Sequence, residues 1–299
     1  MTRRGLLLFA AMCVIWGTPY LLIRVAVGEL SPAELVFFRT AVAALILMPV
    51  VIARGGLRGI GARWVPLVAF AAMEIGIPWL LLASAEQKIS SSLAGLLISA
   101  VPLVATLIAP LFGNRDWIGA TGVLGLLVGM AGVAAIVGFD LRASAPLALV
   151  EMGLVAISYA VGPAILSRYL TGVPSVSVIG ISLTLCALAY APVAILQWPH
   201  AVPSVPVLAS VATLALVCTA VAFLLFFALI AEIGPVRSTV ITYVNPAVAA
   251  VLGVAVLRES FTIGMALGFV LVIAGSVLAT RRPSTPVSAP ERIAEPTSV

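Results

Sequence analysis

Apolar residues run in blocks of about twenty along nearly the whole chain, with polar residues confined to short gaps. A helix crosses the ~30 Å hydrocarbon core of a bilayer in roughly 20 residues, because each residue rises ~1.5 Å. The blocks fall at 6–27, 32–53, 64–84, 91–112, 117–139, 145–167, 174–196, 206–230, 236–257 and 262–280. They are continuous rather than alternating, and too long for tilted barrel strands of ~9–11 residues. The pattern predicts an all-α polytopic membrane protein of about ten transmembrane helices. Arg3 and Arg4 precede the first block as in a signal peptide, but the block outruns a typical ~7–15-residue apolar region and is expected to stay as a helix. Residues 283–299, rich in Pro, Ser and Thr, read as a disordered cytoplasmic tail.

The blocks repeat. "SAVPLVATLIAPLFGNRDWIGATGVLGLLVGMAG" (99–132) resembles "YVNPAVAAVLGVAVLRESFTIGMALGFVLVIAG" (243–275), with Pro246 lying 144 residues after Pro102. Pro192 follows Pro49 by 143, and the same register sets Tyr159 against Trp16. The chain divides into repeats at 1–143 and 144–282. Five spans is an odd number, so the second repeat enters the membrane from the opposite face. The expected architecture is two inverted five-helix repeats, an arrangement that sets transport sites near the midplane between the halves.

Charge then fixes orientation. The chain of 299 residues is 63 % hydrophobic and only 9 % charged, with mean hydropathy +1.24, where a soluble domain carries about 25 % charge. With the N-terminus inside, eleven arginines face the cytoplasm (Arg3, Arg4, Arg54, Arg58, Arg63, Arg115, Arg168, Arg237, Arg281, Arg282, Arg292). Three cations face out: Lys88, Arg142 and Arg258. This is the positive-inside asymmetry. It predicts both termini in the cytoplasm and explains the net charge of +5 without a nucleic-acid partner.

Polar residues inside the spans are the candidate chemistry. Trp16, Tyr20 and Arg24 are spaced i, i+4, i+8, beside Gly17 and Pro19, and so share a helix face. Arg24 reads either as a cation snorkelling to interfacial Glu29 and Glu34, or as one facing a vestibule. Arg39 lies about two turns into the second span next to Phe37 and Phe38, and is expected to bond main-chain carbonyls or a carboxylate from another helix. Both are gating or structural cations. Glu74, mid-span in "AAMEIGIPWLLLAS", is either a functional acid or the partner of Arg39 or Arg24. A carboxyl that takes and yields a proton as access alternates would couple transport to the proton gradient, with Glu151 a second candidate. Trp79 and Tyr159 join the expected cavity lining. In "STVITYVNPAVAA", Ser238, Thr242 and Asn245 fall at i, i+4, i+7 beside Tyr243, with Ser99 in the matching part of the first repeat. These groups line a cavity or hold helices together. Gly125, Gly129 and Gly132, and Gly264, Gly268 and Gly275, form small-residue seams that could pack on each other.

"VIWGTPYLLIRVAVGELSPAELVFFRTAVAALIL" resembles the start of an EamA-type repeat of the drug/metabolite transporter superfamily, with Trp-Gly in the first helix and then Pro32 and Arg39 in the second. "VNPAVAAVLGVAVLRESFTIGMALGFVLVIAGSVLAT" resembles the end of the second repeat, carrying Pro246, Glu259, Gly268 and Gly275. The resemblance covers residues 5–280. It implies ten helices in two inverted repeats, a central cavity open alternately to either side, and export of amino acids, metabolites or drugs from a bacterial inner membrane. The sequence departs from it at Asn114-Arg115-Asp116, where an acidic residue is common, and at Ser158-Tyr159, which replaces the second Trp-Gly pair.

Other classes fit less well. His200, the single histidine, sits in a Pro-rich loop, and Asp116 and Asp140 lie at span ends, so zinc, Ser-His and paired-aspartate chemistry in the membrane are not expected. No Walker A motif occurs. Cys13, Cys186 and Cys218 lie within spans as packing residues. No cofactor or metal is called for. The expected partners are a small-molecule substrate, the lipid bilayer and, if coupled, protons; monomer and homodimer are both compatible. A flippase for lipids or hydrophobic compounds with the same architecture is the alternative.

Overall fold

The computed structural model describes residues 2–57, 60–112, 119–138, 146–199 and 201–280, with backbone only at 235 and 236. Asn114-Arg115-Asp116, Asp140, Arg142, His200 and the tail lie outside these residues. Among the described residues there is no strand. Among the described residues nine helices are long and apolar enough to cross a membrane: α1 (Arg3–Ala26), α2 (Pro32–Ala53), α3 (Gly61–Glu86), α4 (Ser91–Phe112), α5 (Ala120–Gly138), α6 (Pro146–Tyr169), α7 (Ser175–Leu196), α8 (Val205–Ile233) and α10 (Ile263–Thr280). The shorter apolar α9 (Ile241–Leu257) makes the tenth.

Local chemistry sets the ends. Thr2 caps α1 by accepting from the Gly5 N–H. Ser31 and Glu34 form a reciprocal capping box at α2, with Pro32 in the first turn, where its missing N–H costs nothing. Ser90 accepts from the Leu93 N–H at α4. The chain stays helical because its apolar faces are satisfied by neighbours or lipid, and large apolar side chains such as Leu7, Leu45, Leu127, Leu188 and Val270 point outward. An apolar exterior over a polar-flecked interior is stable only in hydrocarbon.

The helix pairing follows the repeat. α5 packs along α10, α2 along α7, and α4 along α9. α1 packs on α8 as α6 packs on α3, and α1 meets α9 as α6 meets α4. Exchanging helix n for n+5 leaves this pattern unchanged, as a two-fold between inverted repeats requires. The α5–α10 seam is the glycine stripe: a Cβ on Gly268 would come within 2.6 Å of the Gly132 carbonyl oxygen, and one on Gly275 within 2.6 Å of the Gly125 carbonyl oxygen. Backbones this close gain dispersion over their whole length.

Loop contacts sort into two ends. At one, Arg63 bonds the Thr171 carbonyl, Arg168 bonds the Phe112 carbonyl, and Arg4 pairs with Glu232 at 3.9 Å. This is the Arg54 end. At the other, the Lys88 end, Ser204 N–H donates to Glu29 at 2.7 Å and Ser31 donates to Gln197 at 2.7 Å. In each of these contacts among the described residues the partners belong to the same end, as helices running in alternating directions require.

Three breaks bear on the site. α1 is interrupted at Thr18, before Pro19, where the Thr18 hydroxyl donates to the Val14 carbonyl. The span expected at 236–257 is a short helix, Pro235–Ser238, followed by α9 proper, so Ser238 and Thr242 do not share one continuous face. Finally, α3 and α8 each contain a π-helical turn, at Ala72–Gly76 and Leu216–Val221, 144 residues apart. Such turns free a main-chain carbonyl and are frequent at functional sites.

Candidate functional site

The two π turns lie where the repeats meet. In α3 the turn carries Glu74. Its neighbour α7 serves the turn's carbonyls: Tyr190 donates to Gly76 at 3.0 Å and Cys186 to Ala71 at 3.4 Å. In α8 the turn carries Thr219, whose hydroxyl donates to the Leu214 carbonyl at 2.8 Å. Cys218 stands in α8 where Glu74 stands in α3, at the repeat's 144-residue offset. The acid is therefore present in one repeat alone.

Glu74 is half-buried, and its Oε2 has no hydrogen-bond partner. It packs directly on the backbone of α6 at Gly162, where an added Cβ would overlap Oε2 and come within 3.2 Å of Cδ. Neither Arg39 nor Arg24 pairs with it; the one ion pair within 4.0 Å among the described residues is Arg4–Glu232.

Arg39 is 7 % exposed. Its guanidinium lies over the Trp79 ring, 3.6 Å from the centroid, and its Nε donates to Thr219 Oγ1 at 2.9 Å. The expected carbonyl or carboxylate partner is thus replaced by an aromatic face and a hydroxyl. Tyr20, Tyr159 and Cys218 are within its electrostatic reach, and Tyr159 has Glu74, Arg39 and Trp79 as polar neighbours. Tyr20, Arg39, Glu74, Trp79, Tyr159 and Thr219 therefore form one constellation drawn from α1, α2, α3, α6 and α8.

Other expected residues lie elsewhere. Trp16 and Tyr20 part company across the α1 break: Trp16 packs on Phe223 and Phe226 of α8, while Tyr20 is buried against Gly95 of α4. Arg24 bonds neither Glu29 nor Glu34; it donates to the Glu86 main-chain carbonyl. Ser99 is buried and spends its hydroxyl on Leu96, and exposed Thr242 donates to Thr239. Tyr243 is half-buried. Asn245, with its amide turned to donate, bonds the Ile241 carbonyl at 3.0 Å and the Cys13 carbonyl at 3.1 Å, tying α9 to α1 beside Gly17. Glu151 accepts from Ser84 at 2.7 Å, and its Oε2 is unpartnered. Ser99 and Thr242 thus serve local helix geometry, Asn245 holds two helices together, and none of the three joins the constellation.

Sequence reasoning passed over four residues. Thr219 and Gly162 gave no sign because small residues are common in membrane helices. Glu86 is fully buried, with neither carboxylate oxygen bonded, although it sits at the end of an apolar block where an acid reads as interfacial. Glu259 appeared only as part of a motif. In the structure it crosses to the other repeat and accepts from Ser91 (N 2.8 Å, Oγ 3.0 Å) and Ser92 (N 2.8 Å, Oγ 2.6 Å) at the start of α4. Burial pushes its carboxyl upward, but the donors of Ser92 and Ser91 outweigh that and hold it below its ordinary value.

Two cavities flank the constellation. One of about 600 Å³ opens at the Lys88 end among Arg24, Gln87, Lys88, Ser90 and Glu259. Another of about 320 Å³ opens at the Arg54 end among Val51, Arg54, Ser175, Ser177, Phe227 and Ile230. Neither is lined by Arg39 or Glu74.

Comparison with known proteins now decides the class. The model of the EamA-like transporter family matches residues 3–138 and again 148–281. The chain belongs to that family. This EamA protein is a member of the drug/metabolite transporter superfamily and a multi-pass membrane transporter, built from two tandem EamA repeats. A solved structure described only as "Crystal structure of protein" shares its fold, with TM-score 0.66 and 22 % identity over 94 % of this chain and 97 % of that one. No curated protein matches it. A transporter family fits the reading that this chain is not an enzyme.

Proposed function

We propose that this EamA protein is a secondary carrier that exports a small organic solute from the cytoplasm by alternating access, with Glu74 exchanging a proton in the cycle. The observation that carries the reading is the position of Glu74: on a π turn, at mid-height, one oxygen unpartnered, against Gly162 of the opposite repeat. A carboxyl at a seam between two bodies that move relative to each other changes its exposure when they move. Its proton occupancy follows that exposure, which is how a gradient is tied to a conformational cycle. Glu151, held by Ser84, is the second candidate acid.

Orientation follows from charge. The Arg54 end, rich in arginine, faces the cytoplasm, and the Lys88 end faces out. This supports a reading in which the protein sits in a bacterial inner membrane with both termini cytoplasmic.

The test is solute-driven proton movement in proteoliposomes, with Glu74→Gln beside wild type. Wild type should show transport that depends on pH and on an imposed proton gradient. The Gln variant should retain solute exchange but lose both dependences. Wild-type pH behaviour in the variant would remove Glu74 from the coupling role, and the absence of any solute flux would remove the carrier reading.

A further inference from the structure

The Arg39 environment says what kind of solute fits. A buried cation normally has a carboxylate beside it, because its loss of water must be offset by a counter-charge. Arg39 has none within 4.0 Å among the described residues, although Glu74 lies in the same constellation. Its bonding is incomplete: of five N–H groups, Nε alone donates to a described residue, and the Trp79 face covers one side of the plane. The outer fork of the guanidinium, the part that receives carboxylate or phosphate oxygens in a bidentate pair, has no protein partner among the described residues.

A column of aromatic residues runs toward it. Thr219, Phe223 and Phe227 follow one another at four-residue spacing down α8. Phe227 lines the cavity at the Arg54 end. It stacks on Phe223, with centroids 6.3 Å apart, and Phe223 meets Trp16 edge-on at 5.9 Å. From the cavity toward the protein's centre the succession is therefore aromatic faces, then the Thr219 hydroxyl, then the guanidinium. The second repeat holds no matching charge: at its own offset of 143 residues, Ser182 stands where Arg39 stands.

We infer that Arg39 is the head-group site for an organic anion, a solute with a carboxylate or phosphate head and an apolar body that lies along Trp16, Phe223 and Phe227. This rests on the carrier reading and narrows it. The head group completes the guanidinium fork and supplies the missing counter-charge, while the aromatic column takes the body.

The experiment uses purified full-length protein and matched sets of ligands on benzyl, indolylmethyl and isobutyl bodies, each as carboxylate, phosphonate, neutral carboxamide and amine. Thermal stabilisation in detergent and counterflow in proteoliposomes are both read. Carboxylates, phosphonates or both should stabilise and exchange, and the relative response of the two assigns the head group. The isosteric amides should be about tenfold weaker or more, the usual cost of losing a charge-assisted pair. Arg39→Gln should abolish that discrimination, and Thr219→Val, which frees Nε but keeps the charge, should preserve it. Counterflow of amides or amines without anions would overturn the inference while leaving the carrier reading intact. An Arg39→Gln protein that still prefers anions would also overturn it. If Arg39→Gln does not yield folded protein, the wild-type panel decides alone: no anion preference in any set refutes the site.

Discussion

Glu259→Gln is the change whose cost follows most directly from the structure. The Glu259 carboxylate receives four donors at 2.6–3.0 Å, two main-chain N–H groups and two hydroxyls, at the first turn of α4. Hydrogen bonds to a charged group contribute about 1.5–3 kcal/mol net against ~0.5–1.5 for neutral pairs. A glutamine keeps one acceptor oxygen for one serine but turns an NH2 toward the other. There the hydroxyl can rotate and accept, while the main-chain N–H cannot. The loss is one main-chain bond, the charge on the rest, and the favourable charge at a helix N-terminus, itself ~0.3–1 kcal/mol. Because Glu259 is half-exposed, water screens part of this, and the net cost is about 2 kcal/mol.

At ~2 °C per kcal/mol, the lower end of the usual range for large domains, Tm should fall by about 4 °C. The buried free thiols of Cys13, Cys186 and Cys218 make a thiol-reactive dye the natural reporter of unfolding. The acid limb gives a second readout. Glu259 is held below its ordinary value of 4.5, so the ionised form favours the folded state. Its contribution is complete above about 4.5 and is lost as pH falls through the depressed folded value. The glutamine variant should therefore lose less Tm than wild type across that window. A variant as stable as wild type, or one with an unchanged acid slope, would refute the cap as a stabilising joint between repeats.

Four further outcomes follow from the same structure. Arg258, at the end of α9, has φ 55°, a left-handed conformation that costs an L side chain ~1–2 kcal/mol, so Arg258→Gly should raise Tm slightly in the dye assay. Gly253→Ala would push a methyl to 2.9 Å from Ser91 Oγ and into the Glu259 carboxylate, and should lower Tm at least as much as Glu259→Gln. Gly275→Ala meets backbone on α5, which cannot swing aside, and should cost about 2–3 kcal/mol by forcing the α5–α10 seam apart. Gly162→Ala meets the Glu74 side chain first, which can move; Tm should change little while the pH dependence of transport shifts in proteoliposomes.

The ten spans and their doubling were readable from the chain because hydrocarbon imposes its length on every apolar block separately. The alternating direction of the helices follows, since a chain that crosses a membrane has no other choice. Glu74 was readable as an unusual residue, for an acid in the middle of an apolar run stands out whatever its neighbours are. Its partner was not. The alternative reading, in which Glu74 pairs with Arg39 or Arg24, does not hold in the structure, because Arg39 turns instead to Trp79 and Thr219. The stripe of Ser238, Thr242 and Asn245 failed because the helix breaks inside it, a local event that spacing alone does not register.

The sequence by itself determined the solvent, the helix count, the repeat and the type of residue found at mid-membrane. These are properties of single segments, and the bilayer acts on segments one at a time. Tertiary structure alone decided which side chains meet. Glu259 caps a helix 168 residues earlier than itself, and Arg39 reaches a hydroxyl 180 residues away. Such contacts depend on how two inverted halves lie against each other, to within an ångström. Periodicity carries no record of that distance, because it describes one helix's faces and not the helix that comes to cover them.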